Sequence, residues 1–174
     1  VTGVYAAATF AFSVNNTVSF NAVDIDADVS LSATNNGAAV DFGGGQMQSV
    51  VKISADDDAS KQYVLSVPKQ VINSEKTNVG LTYELQVKNT GSRDLTVNLD
   101  GGSKNFLANI AGVTVTYAYQ MKTGTTDFVS SLVGAVIPTG STYKIIISFK
   151  LADKFKSMTV QHELTYNFVA IQRL

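Results

Sequence analysis

Apolar and polar residues alternate with a period of two along most of this chain. The first such run is Val4-Tyr5-Ala6-Ala7-Ala8-Thr9-Phe10-Ala11-Phe12-Ser13-Val14, whose even positions read Val, Ala, Ala, Phe, Phe, Val. That pattern predicts a strand with one buried face. Terminal segments are poorly ordered unless something packs on them. An apolar strand here therefore needs a cover, supplied either by its own fold or by a neighbour's.

Asn15-Asn16-Thr17 breaks the run, and Val18 and Phe20 keep the even phase briefly. From Ile25 the apolar residues become odd: Ile25, Ala27, Val29, Leu31 and Ala33. A one-residue phase change reverses the buried face, so residues 21–23 are expected to bend or bulge. Turns are expected at Asn35-Asn36-Gly37 and at Gly43-Gly44-Gly45. Met47, Val51 and Ile53 mark another strand; Tyr63, Leu65 and Val67 mark the next, which Pro68 is expected to end. Residues 69–79 read as a polar connection, with Val71 and Ile72 plugging into the core.

Leu81, Tyr83, Leu85 and Val87, then Asn89-Thr90-Gly91-Ser92, then Leu95, Val97 and Leu99 read as a hairpin, with Gly91 at positive φ. Phe106, Leu107 and Ile110 have the spacing of one short helix. Val113, Val115, Tyr117 and Tyr119 resume the strand pattern. The apolar run 132–137 follows, then a turn at Pro138-Thr139-Gly140-Ser141. Tyr143, Ile145, Ile147, Phe149 and Leu151 form a long strand, and Met158, Val160, His162, Leu164, Tyr166, Phe168 and Ala170 the last. Eight to ten strands, frequent turns and no long amphipathic helix predict an all-β fold, an antiparallel β-sandwich or jelly roll. No fixed-period repeat points to a solenoid.

Composition narrows the function. The 174 residues are 45% hydrophobic and only 16% charged, against roughly 25% charged in an average domain. Such a surface depends on Thr, Ser, Asn, Gln and Gly, as in many extracellular β-proteins. A net charge of −1 offers no steering toward nucleic acid or anionic membrane. No run approaches the ~20 apolar residues of a membrane span. Cysteine is absent, which removes disulfides, thiolate catalysis and Cys-type zinc sites. The start at Val1, with Val4-Tyr5-Ala6 resembling a signal-peptide end, reads as a chain already processed upstream and secreted.

No catalytic constellation emerges. His162-Glu163 lacks the second histidine of a zinc-protease motif, since Tyr166 stands in its place and the segment alternates as a strand. No G-x-S-x-G, phosphate loop or dinucleotide fingerprint is present. Asn15-Asn16-Thr17 is a three-letter glycosylation sequon. Asp24, Asp26 and Asp28 project from one strand face in steps of about 6.6 Å, hard oxygen ligands of the kind Ca²⁺ takes. They are the candidate metal residues, with Asp56, Asp57 and Asp58 a second source; solvated outer-face charges are the plainer alternative. Tyr63, Tyr83, Tyr117, Tyr119, Tyr143 and Tyr166 could stack on sugars, but they share the apolar face of their strands, which points to core packing.

Three segments resemble the TasA/camelysin family of secreted β-sandwich proteins, which includes biofilm-matrix fibre subunits. They are Tyr83-Glu84-Leu85-Gln86-Val87-Lys88-Asn89-Thr90-Gly91-Ser92 leading to Leu95, Val136-Ile137-Pro138-Thr139-Gly140-Ser141-Thr142-Tyr143-Lys144, and Leu164-Thr165-Tyr166-Asn167-Phe168-Val169-Ala170-Ile171-Gln172. The start, small residues then an aromatic strand through Phe12, also fits; with it the segments cover about a quarter of the chain, in the family's order. Residues 35–80 match nothing in that pattern, and Val1-Thr2-Gly3-Val4 precede the usual start. The family's peptidase label does not carry over, because the zinc motif is missing.

The resemblance implies a jelly-roll subunit, residues 15–174, with an N-terminal donor strand, residues 1–14. Val4, Ala6, Ala8, Phe10, Phe12 and Val14 would fill a groove in the next copy of the chain, giving a head-to-tail extracellular filament. Archaeal bundling pili and cannula tubes are similar in principle, and in the latter Ca²⁺ participates. The expectation is thus a non-enzymatic structural subunit. The alternatives are a monomeric cell-surface or carbohydrate-binding sandwich and a capsid-type jelly roll.

Overall fold

The computed structural model describes residues 16–22, 25–40, 47–52, 60–73, 80–152 and 157–171. In order these form β1 (Asn16–Ala22), β2 (Ile25–Asn35), β3 (Ala38–Ala39), β4 (Met47–Lys52), β5 (Ser60–Asn73), β6 (Leu81–Asn89) and β7 (Leu95–Leu99). A helix, α1 (Gly101–Ala108), comes next, then β8 (Val113–Thr123), β9 (Val129–Ser130), β10 (Ser141–Leu151) and β11 (Ser157–Ala170). The strands pair antiparallel in two sheets. The larger runs β1-β2-β6-β10-β8-β9, with β3 also on β2, and the smaller runs β4-β5-β11-β7. The protein is all-β, as its alternation predicts.

One core lies between the sheets. From the larger sheet, Ile25, Val29 and Leu31 of β2, Leu81, Tyr83, Leu85 and Val87 of β6, and Tyr143, Ile147 and Phe149 of β10 are buried. The smaller sheet answers with Leu95, Val97 and Leu99 of β7, Leu164, Tyr166 and Phe168 of β11, and Ile72 of β5. Each large apolar side chain so placed contributes about 1.5–3 kcal/mol. Tyr83 packs edge-on against Phe149, ring centroids 5.5 Å apart at 80°, the arrangement aromatic quadrupoles favour.

Several expectations change. The phase break near residues 21–23 falls between two antiparallel partners, β1 and β2, with Ala22 opposite Ile25; residue 23 lies outside the described residues. Pro68 does not end its strand: β5 continues to Asn73, and its register with β11 shifts where Val160 faces Gln70 and His162 faces Val67. Two residues of β5, Pro68 and Lys69, there oppose one of β11. A bulge is where a strand tolerates a proline. The extra residue reverses the phase, so Ile72 is buried while Val71 is 54% exposed.

The pair β6 and β7 is not a hairpin. β6 lies between β2 and β10, whereas β7 pairs with β11 in the other sheet. Residues 90–94 arch across the sandwich, and Asn89 holds that arch. Its buried amide donates to Arg93 O at 2.8 Å and Ile137 O at 2.9 Å, and its Oδ1 accepts from Gly91 N at 3.0 Å. Gly91 is not at positive φ, unlike Gly37, Gly112, Gly124, Gly134 and Gly140. Its constraint is one of space instead: a Cβ there would stand 3.2 Å from Asp26 N and 3.3 Å from Asp26 Cβ, close enough that Asp26 would have to shift.

Candidate functional site

The two sheets do not match in extent. Beyond β10 the larger sheet continues into β8, whereas among the described residues the smaller sheet stops at β7. The inner face of β8 is therefore roofed only in part. Val113, Val115, Tyr119 and Met121 are half-buried, and Tyr117 is 39% exposed. Between them and the other sheet runs an open groove of about 340 Å³. Val113, Val115, Tyr117 and Tyr119 form one wall; Leu99 with Lys104, Leu107 and Ala108 of α1 forms the other.

α1 is held against β11 by polar contacts. Asp100 caps it, its carboxylate accepting from Gly102 N at 3.0 Å and from Asn167 Nδ2 at 3.2 Å. Ser103 Oγ accepts from Thr165 N at 2.8 Å. Leu107 is buried beneath the helix, so this wall is fixed.

The edge of β7 facing the groove carries unused pairing capacity. Leu95 exchanges both backbone hydrogen bonds with Ile137, at 3.1 and 2.7 Å, on the side away from β11. Antiparallel hydrogen bonding alternates along a strand, so Val97 and Leu99 also direct N–H and C=O away from β11. Among the described residues no strand pairs with β7 beyond Leu95 on that side. An apolar trough beside an open edge accepts an extended segment with alternating apolar side chains.

Burial raises the phenol pKa values throughout this region. Tyr143 is pushed up to about 12 by burial and by its neighbour Tyr119, against smaller opposing hydrogen bonds from the Gly134 and Ala135 backbone. Tyr119, stacked on Tyr143 with centroids 6.1 Å apart, is raised by burial, and Tyr117 by burial and then Tyr119. Neutral phenols line this groove at ordinary pH.

Val4, Ala6, Ala8, Phe10, Phe12 and Val14 lie outside the described residues, as do Asp24, Asp56, Asp57 and Asp58. Asp26 and Asp28 lie half-buried on the other face of β2 from its core row. Asp28 stands across from Lys88 of β6 and Ser19 of β1, and Asp26 across from Asn21. Among the described residues no third acidic or histidine side chain joins them. An opposite charge directly across a strand pair is stabilising by itself. His162 sits within β11, opposite Val67, so the helical zinc motif has no place here. Tyr83, Tyr143 and Tyr166 are core residues; Tyr117 and Tyr119 are the tyrosines that reach the groove.

Sequence reasoning located the tyrosines and valines of β8 but not the groove, because which strand lacks a roof depends on the other sheet. No helix among the described residues is long and apolar enough to cross a membrane. No protein-family model matches this chain, and no curated protein matches it significantly.

Proposed function

We propose that this chain is the structural subunit of an extracellular filament, built head to tail by donor-strand complementation in the manner of the TasA/camelysin proteins it resembles. The observation that carries the reading is the open apolar groove beside the edge of β7, which no described strand pairs beyond Leu95. In this reading residues 4–14 of one copy enter the groove of the next, completing the smaller sheet and roofing β8. The fold is then a jelly roll whose last strand comes from a neighbour.

Topology supports a neighbour over the chain's own terminus. β1 begins at Asn16 opposite Leu31. Just beyond, the same edge of β2 is taken by Val40, whose N–H donates to Ala33 O at 3.0 Å, and by β3, which pairs with Thr34 and Asn35. The edge of β2 beyond Leu31 is thus already occupied, from Ala33 to Asn35. For residues 4–14 their own groove is also distant, since β1 and β8 are separated by four strand spacings, about 19 Å. Asn15, the single residue left as linker, spans at most about 3.6 Å. A donor leaving one flank and an acceptor on the other is a head-to-tail contact, which propagates instead of closing into a dimer.

Magnitudes agree. Two Phe and two Val buried contribute on the order of 6–12 kcal/mol, and strand pairing adds roughly 0.5–1.5 kcal/mol per hydrogen bond. Association costs about 4–15 kcal/mol, and a groove fixed in advance keeps the cost of ordering low. Deleting residues 1–14 should leave a soluble, β-rich monomer that forms no filaments by negative-stain microscopy, and Phe10→Asp with Phe12→Asp should do the same. A deletion variant that unfolds, with full-length protein monomeric at high concentration, would refute the reading.

A further inference from the structure

An unusual segment adjoins the groove at its Tyr119 end, where Val133 lines a smaller space that shares Leu99, Lys104, Tyr117 and Tyr119 with it. Residues 131–137 run from β9 to the edge of β7: Ser131 N donates to Tyr119 O at 2.9 Å, and Ile137 bonds Leu95. Between these points Leu132, Val133 and Val136 are 77%, 57% and 47% exposed. Val133 meanwhile caps the space between Val97, Tyr119 and Ile145, at the Tyr119 end of the groove. Three large aliphatic side chains on one short connection thus stay largely in water while the segment adjoins an apolar trough.

Among the described residues its hydrogen bonds are local. Tyr143 donates its hydroxyl to Leu132 O at 2.6 Å, and the backbone N–H groups of Gly134 and Ala135 donate toward the Tyr143 hydroxyl oxygen. Ile137, by contrast, is fully buried and held by Leu95 and by the Asn89 amide. Gly134, at φ +66°, gives the segment a flexible point.

Length makes the segment matter. The open wall from Val113 to Tyr119 offers four inward positions over about 24 Å, while residues 4–14 carry six over about 37 Å. A strand of that length runs past the open wall at Tyr119, where Val133 stands. We propose that residues 131–136 are a strap, latched by the Tyr143 hydroxyl, that half-closes the acceptor groove of the free subunit and swings aside on Ile137 as a second copy's residues 4–14 enter. Once displaced, Leu132, Val133 and Val136 can cover the outside of the inserted strand. The proposal rests on the donor-strand reading and adds a gate to it.

The test needs two variants of the full chain with opposite expected effects. Tyr143→Phe keeps the ring stacked on Tyr119 but removes the latch; filament growth, followed by light scattering and microscopy, should be roughly threefold to tenfold faster, the factor one neutral hydrogen bond carries. Asn98→Cys with Gly134→Cys ties the strap to β7, since a Cβ at Gly134 lies 3.7 Å from Asn98 Cγ and the chain has no other cysteine. Folded reduced and then oxidised, this variant should lose filament growth and regain it with reductant. Growth at the wild-type rate in the oxidised form, or no acceleration in Tyr143→Phe, overturns the strap while leaving the donor strand intact. Absence of filaments from wild-type protein under every condition overturns both.

Discussion

β10 and β8 are neighbours in one sheet, paired along their full lengths from Ser141 opposite Thr123 to Leu151 opposite Val113. Their inner faces are about equally apolar, Tyr143, Ile145, Ile147 and Phe149 against Val113, Val115, Tyr117, Tyr119 and Met121. Yet the β10 row is buried and the β8 row is not. The difference lies in the opposite sheet, where β7 is the last strand among the described residues. Alternation specifies a face to be covered and leaves open what covers it. An apolar face without its roof marks either a defect or a binding site, and the open β7 edge beside it favours the second.

Substitution should separate the two rows most sharply. Phe149→Ala removes a fully buried ring and should cost about 3–5 kcal/mol of subunit stability, seen as an earlier urea or thermal midpoint. Tyr117→Ser, in the groove, should shift the free subunit by less than about 1 kcal/mol but abolish filament growth. Equal destabilisation by the two would mean that the groove is ordinary core.

The arch that carries β7 to its own sheet offers the next test. Asn89→Ala removes three hydrogen bonds to backbone groups of Gly91, Arg93 and Ile137, of which Ile137 O keeps its bond from Leu95 N, and should cost about 2–4 kcal/mol. Gly91→Val should cost roughly 1–3 kcal/mol because the added atoms meet Asp26; a wild-type melting temperature would disprove that close approach. Both changes should lower stability before they alter assembly.

The gentlest probe is pH. The phenols of Tyr83 and Tyr166 are raised well above their usual range, first by burial and then by neighbouring tyrosines, and Tyr143 is raised to about 12. A raised folded-state pKa stabilises the fold fully below the unfolded value of 10.0, and the stabilisation fades as pH climbs through the folded one. Stability should therefore be level with respect to these groups below pH 10 and fall from about 10 to 12 and beyond, with phenolate absorbance rising as the core opens. A midpoint unchanged across that window would mean that these phenols are not buried.

Much of the fold was legible in the sequence, and the reasons for the exceptions are physical. The strands β2, β6, β8, β10 and β11 follow from period-two alternation, because one face of each meets the core. Alternation does not name a partner, so β6 and β7 looked like a hairpin although each pairs elsewhere. Pro68 looked like a stop because the bulge that accommodates it is formed with β11, some ninety residues away. Asn89 read as a turn residue, and nothing local shows that its amide also reaches Ile137. The groove was illegible for the same reason, being an absence in the opposite sheet.

The central claim is that the β8 face of one subunit is covered by residues 4–14 of another, and a cysteine pair tests it directly. With no native cysteine in the chain, Ala8→Cys and Val115→Cys introduce one thiol each at small cost in volume, and Val113→Cys offers the neighbouring register. Mixed single-cysteine proteins, allowed to assemble and then oxidised, should give disulfide-linked heterodimers on a non-reducing gel, and the Ala8→Cys, Val115→Cys double variant should give a ladder of multimers. A double variant that cross-links only within single chains, with no heterodimer from either mixture, would contradict the account.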